Sequence, residues 1–284
     1  MHTLTLRFLA AAGSALALSA CQTPPAAVSR TASPPTDPAL VGEVRKGSGV
    51  LNGYLERKAL PDSLALVNKP PADGSAQKAA DLEAHRASRA LRDTPRWTLA
   101  QRDSVLRFPA AAETFSCALG IAISEQDTPH LTMLLRRTLA DAGLATYKAK
   151  DTYTRKRPFV ELGESTCTPA EEASLAKDGS YPSGHASLGW AWGLVLAGLA
   201  PERADTLVQR GFAFGQSRMV CGVHWSSDVE AGRLVGSATV ARLSADPLFH
   251  AQAALAKAEI AAARARGAAP TRTDCAMEAA ALRP

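Results

Sequence analysis

Long apolar runs are what this chain has least of. No stretch reaches the ~20 consecutive apolar residues that a membrane-spanning helix needs. The most apolar run, around Trp190 to Leu199, is interrupted by Gly193 and Gly198 and ends before Pro201. That favours a buried core helix over a bilayer span. There is no Cys-x-x-Cys pair and no Cys/His cluster, which argues against a structural zinc site. No basic run or aromatic-interleaved patch appears, so the net charge of +5 does not imply a nucleic-acid polymer as partner. Aromatic residues are only 5% of the chain and alternating β-branched runs are almost absent, which removes the usual signature of a sheet. No internal repeat is visible.

What is present begins with an export signal. Arg7 supplies a positive first region, and Phe8 to Leu18 is a short apolar stretch. Leu18-Ser19-Ala20-Cys21 resembles a bacterial lipoprotein cleavage box, with Cys21 as the lipidated first residue of the mature chain. An ordinary secretory signal cut near the same small residues is the alternative. The lipoprotein resemblance implies an anchor facing the periplasm, and Gln22 at the next position implies the outer membrane. Several acyl chains hold a protein firmly, whereas one alone binds only marginally. Loss of Arg7 with the signal takes the net charge from +5 to +4. That mild excess would attract an anionic substrate if it gathers in one cleft.

After residues 1–20, the proline pairs Pro24-Pro25 and Pro34-Pro35 predict a disordered tether over 21–59. One domain is expected over 60–266, with a tail over 267–284. Its helical signals are consistent. Asp81 to Leu91 is amphipathic. Asp127-Thr128-Pro129 caps and opens a helix expected to stop at Gly143. Ala186 to Leu199 is apolar nearly all round, as a buried helix is. Glu202 to Phe214, Ser226 to Leu243 and an Ala-rich segment from Pro247 towards Arg266 follow. The reading is an all-α, single-domain helical bundle.

Four cysteines, Cys117, Cys167, Cys221 and Cys275, remain after Cys21, and in an oxidising compartment they suggest two disulfides. Four cysteines allow three pairings, and sequence alone does not choose. Joining sequence neighbours, with the smaller loops, gives Cys117–Cys167 and Cys221–Cys275.

Three segments carry candidate chemistry: Lys150 to Pro158, Tyr181-Pro182-Ser183-Gly184-His185, and Ser217-Arg218 followed by His224 and Asp228. Lys150 brings a point charge, and Arg157 and Arg218 bring planar forks of donors; both types match phosphate. Singly, each is usually a solvated surface charge. Ser183 and Gly184 stand where a loop meets the start of the buried helix. Free backbone N–H groups and the positive dipole end point at an anion there. An N-cap by Ser183 with a glycine turn would look the same. His185 beside a phosphate is a candidate acid for a leaving alkoxide. His224 and Asp228, four apart, share a face if helical, so the carboxylate can fix the imidazole tautomer. Alone, such a pair is often only a surface hydrogen bond.

Together, the segments resemble the K-x6-R-P, P-S-G-H and S-R-x5-H-x3-D signature of the phosphatidic acid phosphatase type 2 superfamily, also called vanadium haloperoxidase-like. Every specified position is present, in order. Phe115 to Gly120, Lys177 to Ser180 and Phe214-Gly215-Gln216 further resemble the class A bacterial non-specific acid phosphatases, over roughly residues 60 to 266. The lipobox departs from that class, which usually has a plain signal peptide.

The resemblance implies a metal-independent acid phosphatase that needs no cofactor and hydrolyses small phosphate monoesters such as nucleotides, sugar phosphates and aryl phosphates. It makes His224 the nucleophile, Asp228 its orienting partner, and His185 the acid for the leaving group and then the base for water. Lys150, Arg157, Arg218, Ser183 and Gly184 would cradle the phosphoryl group. It also suggests a homodimer, touching a membrane only through the lipid anchor. The competing readings are a vanadium-dependent haloperoxidase, typically a much longer chain, and a non-catalytic envelope lipoprotein.

Overall fold

The structure is a computed structural model that describes residues 33–270 and 274–283. The signal, Cys21 and the Pro24-Pro25 pair lie outside those residues. Among the described residues there are helices and turns but no strand, as the all-α reading expects. Helices of seven or more residues are numbered here: α1 Ala76–Arg89, α2 Pro95–Asp103, α3 Pro129–Leu144, α4 Tyr147–Tyr153, α5 Gly184–Leu199, α6 Ala204–Val220, α7 Ser226–Leu243, α8 Pro247–Ala265 and α9 Cys275–Ala281. None is long and apolar enough to cross a membrane.

α5 is the central helix. It lacks the residues that face water, and α3, α6, α7 and α8 pack around it. Glycines set how closely they approach. A Cβ on Gly193 would stand 2.9 Å from the Leu207 carbonyl and 3.2 Å from Cα of Gly211, so α5 and α6 cross backbone to backbone. On α7, a Cβ on Gly232 or Gly236 would strike the carbonyls of Ser183 and Ser187. Of the two glycines that interrupt the apolar run, Gly193 therefore marks a helix crossing, whereas Gly198 has nothing within 4 Å of its missing Cβ. Trp192 of α5 is fully buried, donates its indole N–H to the Leu135 carbonyl of α3 at 2.9 Å, and meets Phe115 and Phe214 edge-on. Each such aromatic contributes roughly 1.5–3 kcal/mol by burial.

Two helix ends depart from expectation in ways that matter for the site. α6 continues past Phe214 to Val220, because Gly215 serves as a close contact to Val229 and Ala186 and not as a stop. This puts Ser217 and Arg218 on its last turns. α5 begins at Gly184, which draws His185 into its first turn. α3 passes Gly143 by one residue, and its open N-terminus is capped from afar: the Glu259 carboxylate of α8 accepts the His130 and Leu131 N–H groups, both at 2.9 Å.

The chain before residue 60 is not a free tether from Ser33 onward. Leu51 and Tyr54 are buried, the Asp141 carboxylate of α3 accepts N–H from Tyr54 at 2.9 Å and Leu55 at 3.0 Å, and Arg137 donates to the Gly53 carbonyl at 2.6 Å. Two large apolar side chains and backbone partners more than 80 residues away fold a segment whose composition reads as a linker. The tail is folded too. α9 lies against α2, and Glu278 reaches Arg210 at 3.2 Å.

That placement corrects the disulfides. The bonds are Cys117–Cys275 and Cys167–Cys221, with sequence separations of 158 and 54. The cost of closing a loop rises only slowly with its length, so proximity in the fold decides. Docking of α9 brings Cys275 to Cys117, and a backbone bond from Cys167 N–H to the Cys221 carbonyl at 3.0 Å aligns the other pair.

Candidate active site

The three motif segments meet at one end of α5. α4 ends in Lys150 to Tyr153, and Thr154 in left-handed conformation (φ 44°) turns the chain so that Arg155 and Arg157 follow into the site. The loop before α5 supplies Asp178 to Ser183, and the α6–α7 turn supplies His224.

His224 is not helical. It precedes Trp225, the N-cap of α7, and Asp228 is the third residue of that helix. The Asp228 carboxylate caps the helix by accepting the Trp225 N–H at 2.8 Å, and the same Oδ2 faces Nδ1 of His224 at 3.3 Å. The four-residue spacing therefore works through a capping turn and not through a shared helical face. The Ser180 hydroxyl donates to Oδ2 as well and lies 3.4 Å from Nδ1. On the other side, Nη1 of Arg157 lies 3.0 Å from Nε2. A guanidinium only donates, so Nε2 carries the lone pair and Nδ1 the proton. This is the tautomer a nitrogen nucleophile requires.

The cations are buried. Lys150 donates to the Gly179 carbonyl at 2.6 Å and stands 3.6 Å from the Asp178 carboxylate; burial and the nearby Arg157 push its pKa down to about 8. Arg157 is spread over the Leu175, Asp178, Gly179 and Val223 carbonyls and pairs with the Asp178 carboxylate at 3.0 Å. Arg218 is different. Its side chain is 1% exposed, yet Nε and Nη1 have no hydrogen-bond partner, and burial lowers its pKa to about 10.

His185 is half-buried, stacked on Phe214, with Nε2 3.1 Å from the Ser104 carbonyl. Burial and then the charge of Arg218 hold its pKa well below the usual 6.5. Burial, then Arg157, Lys150 and Arg218, do the same to His224. Ser183 is fully buried; its hydroxyl accepts the Ala186 N–H at 3.3 Å as N-cap, and its own N–H donates to the Asp228 carbonyl at 2.9 Å. Gly184 begins α5, where the first N–H groups have no partner within the helix. All eight candidate residues thus converge.

Four residues to which the sequence assigned no role join them. Asp178 pairs with Arg157 and Lys150, Ser180 bonds Asp228, Arg155 bonds the second oxygen of Asp228, and Asp81 holds Arg155. Arg155, Asp178 and Ser180 lie inside the quoted stretches, so their nearness was legible. Asp81, on α1, carried no signal. Among the described residues, no group of three or more His, Cys, Asp or Glu is arranged to hold a metal ion.

Residues 131–248 match the family described as the PAP2 superfamily. The chain is 44% identical over 209 residues to a non-specific acid phosphatase of Providencia stuartii, covering 73% of this chain and 84% of that one. It is 38% identical over 217 residues to an acid phosphatase of Zymomonas mobilis, 76% and 82% of the two chains. A non-specific acid phosphatase of Salmonella typhimurium is 42% identical over 192 residues, 67% and 77%. The chain belongs to the PAP2 superfamily. Within it, the chain stands among the acid phosphatases. The PAP2 match spans all three motif segments whole, from Lys150 to Asp228, and stops short of the segment before residue 60 that packs on α3.

Proposed function

We propose that this PAP2 enzyme hydrolyses a broad range of phosphate monoesters through a phosphohistidine on His224, without a metal. The observation that carries the reading is Arg218: a buried cation with two unpaired donors, acting on both histidines, fits an anion. Lys150, Arg157 and the free N–H groups at the start of α5 would complete the cradle. Together they offset charge on the transferring group, the task a metal performs elsewhere.

In the first step, Nε2 of His224 bonds to phosphorus while the ester P–O bond breaks. The leaving oxygen takes a proton from His185. Arg157, which donates to Nε2, transfers that N–H to a phosphoryl oxygen as the substrate arrives. Asp228 stands against the proton on Nδ1 and stabilises the cationic ring. In the second step, His185 takes a proton from water, the water oxygen bonds to phosphorus, and the P–N bond breaks to release phosphate. The cradle specifies only the phosphoryl end, so nucleotides, sugar phosphates and aryl phosphates all fit.

The test is p-nitrophenyl phosphate hydrolysis with EDTA, for wild type and His224→Ala. The reading expects EDTA-resistant release of phosphate that falls by about 10⁴-fold or more in the variant. Full activity in His224→Ala, or loss with EDTA, overturns it. The proposal extends to an outer-membrane lipoprotein anchored at Cys21 and facing the periplasm, and to a homodimer. Cell fractionation of Cys21→Ser, expected to leave the membrane, and sedimentation of the purified protein check these.

A further inference from the structure

Asp228 has two carboxylate oxygens, and only Oδ2 faces His224. Oδ1 is held by Nη1 of Arg155 at 2.6 Å. The remaining bonds of the Arg155 guanidinium go to Ser227 and Asp81, not to the side chains of the phosphate cradle. Its Nη1 also meets the Ser227 hydroxyl at 2.8 Å, and its Nη2 bonds the Asp81 carboxylate at 2.7 Å. Asp81 is itself clamped, accepting from the Ser226 hydroxyl at 2.8 Å, the Ser227 N–H at 2.9 Å and the Ser227 hydroxyl at 2.6 Å. A row of alternating charge, His224, Asp228, Arg155 and Asp81, thus runs from the site into the contact between α1 and α7. Burial opposes the charge of Arg155, but Asp228 and Asp81 more than offset it and raise its pKa, so the guanidinium stays charged.

We propose that Arg155 is a positioning residue for phosphoryl transfer: clamped by Asp81, it fixes the Asp228 carboxylate so that Oδ2 stays on Nδ1 of His224. The inference rests on the reading of His224 as nucleophile. The reason is geometric. The Oδ2–Nδ1 contact is long, 3.3 Å, and competes with the Trp225 N–H and the Ser180 hydroxyl for the same oxygen. Without a partner on Oδ1, the buried carboxylate would rotate to satisfy that atom and carry Oδ2 off the imidazole. The ring would then lose both its tautomer and its aim, and a misplacement of about 1 Å costs on the order of 100-fold in rate. The phosphoryl cradle, built by other side chains, would be untouched.

The prediction is therefore a loss in kcat with little change in KM. With p-nitrophenyl phosphate and the full chain, Arg155→Met is expected to lose about 100-fold in kcat with KM within roughly 3-fold. Arg155→Lys, which keeps a charge but reaches one carboxylate at a time, should recover about a tenth or more of wild-type kcat. Asp81→Asn should lower kcat several-fold with KM unchanged. Thermal melts show which variants are folded; if Arg155→Met is not, the Lys and Asn variants carry the test. Wild-type kcat in Arg155→Met, or in both other variants, overturns the proposal. So does a raised KM at wild-type kcat, which would make Arg155 a substrate ligand, and so does Arg155→Lys no better than a folded Arg155→Met. Activity retained by His224→Ala would sink the nucleophile reading instead, and is measured separately.

Discussion

Nε and Nη1 of Arg218 are buried with nothing to donate to, and that is unfavourable for the folded chain until an anion arrives. Replacing Arg218 by Met should therefore cut kcat/KM by about 100-fold or more without lowering the melting temperature in phosphate-free buffer. A clear drop in melting temperature would mean that the guanidinium has a structural partner. The histidines make the pH profile. In the proposed mechanism His224 attacks only when neutral, and its pKa lies well below 6.5, so its lone pair persists as pH falls below that value. His185 must carry a proton, and its pKa is also lowered, so that proton is lost as pH rises, although bound phosphate counteracts the shift. Both limbs fall on the acid side, and kcat/KM should peak below pH 6.5. Lys150→Met removes one cation that depresses His224 and should move the acid limb upward in a pH-rate profile; an unmoved limb would contradict this assignment. Each of these side chains was legible in the sequence, because spacing within a motif survives folding. Asp81 was not, because its partners Arg155, Ser226 and Ser227 lie 74 to 146 residues away.

Helices in this protein are positioned by what they lack as much as by what they carry. α7 can press against the start of α5 only because Gly232 and Gly236 have no side chain, and that contact sets Asp228 beside Ser183. Gly236→Ala should destabilise by about 1–3 kcal/mol through overpacking, on the order of 2–10 °C in melting temperature for a domain of this size. Gly198, also helical, has nothing near its missing Cβ, so Gly198→Ala should be neutral or stabilising by up to about 1 kcal/mol. Equal effects of the two would show that crossing distance is not what these glycines set. The helices announced by periodicity and caps are all present, but α2, α4 and α9 were not announced. Helix ends were not read correctly: at Gly143 and Gly215 a glycine that reads as a stop lies inside a helix, and no local pattern separates the two uses.

At the scale of the whole molecule, the two ends of the described chain are both tied in. Residues 52–55 dock on α3, and α9 is bonded to Cys117 while Glu278 joins the buried Arg210–Asp103 pair. Asp103 also takes the Ser217 hydroxyl, and its neighbour Ser104 offers its carbonyl to His185, so the tail supports the catalytic end through one network. Opening the long disulfide by Cys117→Ser with Cys275→Ser should cost about 2–5 kcal/mol in stability, measured by denaturant unfolding. An unchanged midpoint would mean that docking of α9 alone suffices.

The sequence by itself determined the family, the helical class and the identities of the eight residues around the site, because those rest on residue type and on spacing within short segments. Tertiary structure alone decided the disulfide partners, the folding of the segment before residue 60, the role of the His224–Asp228 turn, and the recruitment of Arg155 and Asp81. Those depend on which distant segments share a surface once α5 is buried, and contact between segments leaves no trace in local composition.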